Sequence, residues 1–165
     1  MAIVSQSGLI LQRSEWKRNG KSMVCAAGAF DLLHPGHVRL LEQARGLGDI
    51  LVVGLQSDAS VKLNKQAGNQ HAGTRPITPA TERAEILAAL AAVDYVVEFD
   101  EPTPREFFVR VAPDVVVKGG EAGSQESAFL DDEAVRIAGG RVVGVALEPG
   151  YSTSFLLERI SQLHA

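Results

Sequence analysis

Five short apolar runs are spaced along the chain, at residues 23–27, 50–55, 95–99, 115–117 and 142–147, each bounded by glycine, proline or polar residues. Continuous runs of this length, rich in valine, are the pattern of strands buried on both faces, as in a parallel sheet. Between them apolar positions recur at helical spacing. Val38, Leu41, Ala44 and Leu47, with Leu40, form one stripe ended by Gly46 and Gly48. Arg83, Ala84, Leu87, Ala88, Leu90 and Ala91 continue another, after Thr78 as N-cap and Pro79 in the first turn. Further helices are predicted from Ala59, over 103–112 behind the capping-box form Thr103-Pro104-Arg105-Glu106, over 127–138, and from Ser152. Residues 1–21 predict a helical extension, with one short helix over 9–18, and residues 22–165 the remaining domain. Strands alternating with helices predict a doubly wound α/β domain, a five-stranded parallel sheet in three α/β/α layers.

The densest chemistry lies at residues 22–41, which read as a buried strand, a turn at Gly28 and a helix opened by Pro35. A helix start offers free N–H groups and a partial positive charge, so it receives an anion without a lysine. His34 and His37, three residues apart, project to one side there, and Gly36 between them leaves room for a ligand. On an arbitrary helix two such histidines are more often surface polar residues or half of a metal site. A zinc site would need further ligands, and Cys25, the single cysteine, lies within the strand pattern. The combination of strand, glycine turn and histidine pair points to phosphate.

At 165 residues and 45% hydrophobic content, one core and one domain are expected. A net charge of −4 disfavours a general nucleic-acid binder or a basic membrane-surface protein. No apolar run has membrane-spanning length and no leader pattern opens the chain, so a cytoplasmic protein is expected.

Three other places carry polar chemistry. Asp58, after the second run, either contacts a ligand or caps the helix beginning near Ala59. The polar stretch 64–77 is long for a plain connection, as lids are, and His71 within it reads as surface. Lys118-Gly119-Gly120 ends the fourth run, where an ammonium can stand beside a phosphate while the backbone approaches closely. Ser152, Thr153 and Ser154 open the last helix, and capping explains one of the three.

Gly28-Ala29-Phe30-Asp31-Leu32-Leu33-His34-Pro35-Gly36-His37 resembles the signature of the HxGH nucleotidylyltransferases. Over residues 22–162 the chain is most similar to the D-glycero-β-D-manno-heptose 1-phosphate adenylyltransferases, which also occur fused behind a kinase. No kinase segment precedes residue 22, so any sugar kinase is expected as a separate protein. The resemblance implies a Rossmann-like sheet in order 3-2-1-4-5, with AMP passing from ATP to a sugar 1-phosphate. It implies His34 and His37 at the transition-state phosphate with Lys118 beside them, and Gly28, Ala29, the Phe30 N–H and Gly119 around the nucleotide. Lys65 (Lys62 as runner-up), Arg75, Ser152, Thr153 and Ser154 are implied for the triphosphate, against solvated loop charges as the other reading of Lys65 and Arg75. Asp31 is implied only for a supporting contact or the turn. Mg²⁺ is expected to bridge phosphates with few protein ligands and no dedicated metal residues. Relatives imply a small homo-oligomer, with a dimer as one form. The sequence departs from the family at Glu121-Ala122, where an aspartate and a tyrosine are usual, and at Ala27 and Gln56, where asparagines are common. A cytidylyltransferase acting on an alcohol phosphate such as glycerol 3-phosphate, and a non-catalytic nucleotide-binding module, are the alternatives.

Overall fold

The computed structural model describes residues 2–65, 75–119, 126–146 and 150–163. Among them the strands are β1 (Ala2–Ile3), β2 (Met23–Gly28), β3 (Ile50–Gln56), β4 (Tyr95–Phe99), β5 (Val115–Gly119) and β6 (Arg141–Val145). The helices are α1 (Gln6–Arg18), α2 (Pro35–Arg45), α3 (Asp58–Lys65), α4 (Ala80–Ala88), α5 (Arg105–Val111), α6 (Glu126–Ile137) and α7 (Thr153–Gln162). Every strand pairing is parallel.

Successive strand residues serve opposite faces, as the two-residue period of a strand requires. Val24 and Ala26 of β2 pack with Leu41 of α2 and Ala84 and Leu87 of α4. Met23 and Cys25 pack instead with Leu9, Phe107, Phe108, Val111 and Val135, from α1, α5 and α6. The sheet is therefore the middle of three layers, with an apolar core on each side. Among the described residues no helix is long and apolar enough to cross a membrane.

The sheet corrects the five-stranded expectation of order 3-2-1-4-5: it has six strands among the described residues, in order β1-β4-β3-β2-β5-β6. The additional strand is β1, which pairs with β4 in the register Ala2↔Tyr95. Its bonds run from the Ala2 N–H to the Asp94 carbonyl and from the Val4 N–H to the Val96 carbonyl, both 3.0 Å. Two residues carry no periodicity to read; the open edge of β4 makes them a strand. Residues 1–21 thus contribute more than a helix. Arg13 of α1 is buried and donates to Asp114 Oδ1 at 2.8 Å, while Asp114 Oδ2 accepts from the Met23 N–H at 2.7 Å. That shared carboxylate ties α1 to the start of β2.

Two expected caps also move. Pro79 and Pro104 hold the N-cap positions of α4 and α5 and make no side-chain cap bond. The Thr78 N–H donates to Asp31 Oδ1 at 3.0 Å and its carbonyl accepts from Arg83 Nε at 2.8 Å.

Candidate active site

β2 is the turning point of the sheet order, with β3 on one side and β5 on the other. Crossovers leave such a point in opposite directions and open a crevice beyond the strand ends. A cavity of about 310 Å³ lies there, lined by Ala29, Phe30, His34, His37, Arg75, Ser152, Thr153 and Ser154, together with Asp31, Gly36, Leu40 and Tyr151.

His34 is the N-cap residue of α2, with extended backbone and no side-chain cap bond, and Pro35 follows in the first turn. Its ring stacks on that of His37, centroids 3.8 Å apart and planes 19° from parallel. A Cβ on Gly36 would lie 3.0 Å from His34 Nδ1 and 3.2 Å from the Tyr151 Cβ, so any side chain there would press on both of these side chains. Behind the pair, the Phe30 ring meets His37 at 5.3 Å; on the other side Tyr151 stacks on His34 at 6.4 Å, with the Arg39 guanidinium 5.6 Å above it.

Burial lowers the pKa of His34 and, with the neighbouring His34 and Arg75 charges added, lowers that of His37 to about 4. Both rings are accordingly neutral near pH 7, each with one donor and one acceptor nitrogen. Among the described residues neither buried Nδ1 has a hydrogen-bond partner.

Arg75 is held by Asp31. Its Nε donates to Asp31 Oδ2 at 2.8 Å, and both side chains are buried. Asp31 Oδ1 accepts from the N–H groups of Ile77 and Thr78 at 2.8 and 3.0 Å. One carboxylate therefore fixes the segment after Arg75 to the turn between β2 and α2. Across the cavity, Ser152 is the N-cap of α7, its Oγ accepting from the Phe155 N–H at 3.0 Å. Capping accounts for Ser152, while Thr153 and Ser154 occupy the first turn, where helix N–H groups have no intrahelical partner.

Gly28, Lys118 and Gly119 are not among the described residues that line this cavity. Gly28 ends β2, with the Phe30 ring packed beside it. Lys118 and Gly119 end β5, the strand beside β2, and Lys118 Nζ pairs with Asp132 Oδ1 of α6 at 2.8 Å. Lys65 is the last residue of α3; its side chain lies outside the described residues, as do His71, Gly120, Glu121 and Ala122. Lys62, its runner-up, is exposed on the same helix. Asp58 is the first residue of α3 and serves an ion pair with Arg83. The Cys25 thiol is buried, which pushes its pKa up to about 12 and removes it as a nucleophile.

Sequence reasoning gave no role to Tyr151, Asp132 or Arg83. Arg83 did leave a signal: it occupies a core position of the stripe Ala80, Arg83, Ala84, Leu87, where only a fully bonded guanidinium is tolerated. For Asp132 the pattern offers no such sign.

Among the described residues no three His, Cys, Asp or Glu side chains are grouped to hold a metal ion. The cavity's imidazoles, guanidinium, hydroxyls and N–H groups match phosphate oxygens rather than a cation.

At the turning point of the parallel sheet, the cavity thus gathers anion donors around a histidine pair at a helix start. The cytidylyltransferase-like family profile matches residues 25–154, and the chain belongs to that family. The bifunctional protein HldE of Koribacter versatilis is 47% identical over 157 residues, which are 95% of this chain and 31% of that protein. HldE of Citrifermentans bemidjiense is 49% identical over 141 residues, 86% of this chain and 27% of that protein. The chain thus spans under a third of the length of these relatives. Among solved structures, a lipopolysaccharide core biosynthesis protein from Thermoplasma volcanium is 27% identical, with a TM-score of 0.61 over 78% of this chain and 98% of that one. Pantoate-β-alanine ligase from Francisella tularensis shares the fold, with a TM-score of 0.65 at 13% identity over 93% of this chain and 69% of that one.

Proposed function

We propose that this protein transfers AMP from ATP to a sugar 1-phosphate, giving an ADP-sugar and pyrophosphate, with D-glycero-β-D-manno-heptose 1-phosphate as the acceptor. The observation that carries the reading is the stacked His34–His37 pair, in one cavity with Arg75 and the first turn of α7. Similarity to the HldE proteins and to a lipopolysaccharide core biosynthesis protein supports the acceptor. Residues 22–165 are then the transfer domain of a cytoplasmic enzyme that forms a small homo-oligomer.

In the reaction an acceptor phosphate oxygen attacks the α-phosphorus of ATP in line; the new P–O bond forms as the bond to the β-phosphate oxygen breaks, and pyrophosphate leaves. No protein nucleophile is required. The acceleration comes from fixed donors placed where charge gathers. His34 and His37 donate to the reacting phosphate and the Phe30 N–H to the nucleotide phosphate. Arg75, Thr153, Ser154 and the α7 N–H groups receive the β- and γ-phosphates, beside the capping Ser152. Lys118, braced by Asp132, and Lys65 are the flanking cations. Magnesium enters with ATP, as part of the substrate.

His37→Ala is expected to lower the rate of pyrophosphate release by about 10²-fold or more, the effect of losing one transition-state donor, while circular dichroism stays that of the parent. Turnover near the parent's would remove the histidine mechanism. The family's description makes CTP the competing donor, distinguished by comparing the two nucleotides.

A further inference from the structure

Arg83 lies beneath the candidate site. Its side chain is fully buried, on a helix whose neighbouring core positions are apolar. The guanidinium makes four bonds: Nε to the Thr78 carbonyl at 2.8 Å, Nη1 to the carbonyls of Ala29 at 2.5 Å and Gln56 at 2.8 Å, and Nη2 to Asp58 Oδ1 at 2.6 Å. It gathers the residues just beyond β2, the end of β3 and the start of α3 around one cation.

The bond to Ala29 bears on the site. The Ala29–Phe30 peptide is trans, Arg75-Pro76 being the cis bond among the described residues. A trans peptide is flat, with its carbonyl and its N–H on opposite sides. Arg83 draws the Ala29 carbonyl into the protein, so the Phe30 N–H is directed the other way, and Ala29 and Phe30 both line the cavity. Among the described residues no backbone acceptor is paired with that N–H. Phe30 also holds φ at +45°, a conformation a side-chain-bearing residue keeps only where its surroundings impose it. The guanidinium's carboxylate partner, Asp58, is 41% exposed, so water weakens its compensation of the buried charge. A cation on a peptide carbonyl polarises the peptide and strengthens its N–H as a donor.

We propose that Arg83 is a positioning residue for the transfer reaction: it sets the Ala29–Phe30 peptide so that the Phe30 N–H is a fixed, polarised donor to a nucleotide phosphate. This rests on the assignment of that N–H to the nucleotide. Arg83→Lys keeps the charge but loses the fork that reaches several carbonyls.

The test is ¹⁵N–¹H spectroscopy of the protein titrated with MgATP, then MgCTP, without acceptor. In the parent the Phe30 amide is expected to move downfield, and the Arg83 Nη1 resonance to move with it. In folded Arg83→Lys the Phe30 movement is expected to vanish and the nucleotide dissociation constant to rise about tenfold. A role in stability alone would lower the melting temperature and leave the Phe30 response intact, which overturns the proposal. So does a parent in which Phe30 moves while Arg83 stays, or in which neither nucleotide moves Phe30; these hold even if the variant does not fold. Phe30 and Arg83 responding together, with no pyrophosphate release on adding a sugar 1-phosphate, would remove the transfer reading alone.

Discussion

At the residue scale two imidazoles are kept neutral by burial. His37 has a folded pKa of about 4 against 6.5 for an ordinary histidine. As pH falls the unfolded chain takes up that proton first, so protonation favours unfolding. The contribution of His37 to stability is fully present above pH 6.5, declines as pH falls toward about 4, and levels off below that. Urea unfolding between pH 7 and 4 is expected to show a shallower dependence on pH in His37→Asn than in the parent. Equal slopes would mean that His37 is not held neutral. His34-Pro35-Gly36-His37 was legible in the sequence because all its parts are local: a proline that opens a helix, a glycine that clears space, two side chains one turn apart. Tyr151 was not, since its stacking on His34 depends on how α7 meets α2.

At the element scale the important contact joins the β2–α2 turn to the segment leading into α4. Asp31 and Arg75 are 44 residues apart in sequence and no periodicity links them, yet they form a buried ion pair whose carboxylate also takes two backbone N–H groups. Removing one member of such a pair leaves the other charged and desolvated, at a loss of about 3–5 kcal/mol. Asp31→Ala is expected to lose that much by urea denaturation, and Asp31→Asn less, because its amide oxygen still accepts from Ile77 and Thr78. A loss below about 1 kcal/mol for Asp31→Ala would show the pair to be incidental. The helix starts show the same division. Ser152 caps α7 through a bond three residues long, which sequence spacing reveals; at α4 the N-cap is Pro79 and the backbone of Thr78 is bonded to Asp31 and Arg83, which spacing does not reveal.

At the scale of the whole molecule, the apolar runs forecast the parallel sheet because a strand covered on both faces must be apolar throughout. β1 escaped notice because two residues added to the edge of β4 need only backbone bonds. The order of strands sets β5, which ends in Lys118 and Gly119, beside β2, the strand that leads into the histidine helix. Lys118 itself is turned to Asp132, a partner the strand-end pattern did not announce. The central claim is the transfer reaction, and the most direct test is magnesium-dependent pyrophosphate release by the purified protein. ATP and CTP would be compared, with D-glycero-β-D-manno-heptose 1-phosphate and glycerol 3-phosphate as acceptors. Release with ATP and the heptose phosphate, and not with the other pairings, is the predicted result; release only with CTP or only with glycerol 3-phosphate would contradict the adenylyl or the sugar assignment, and no release with any pairing would contradict the reaction itself.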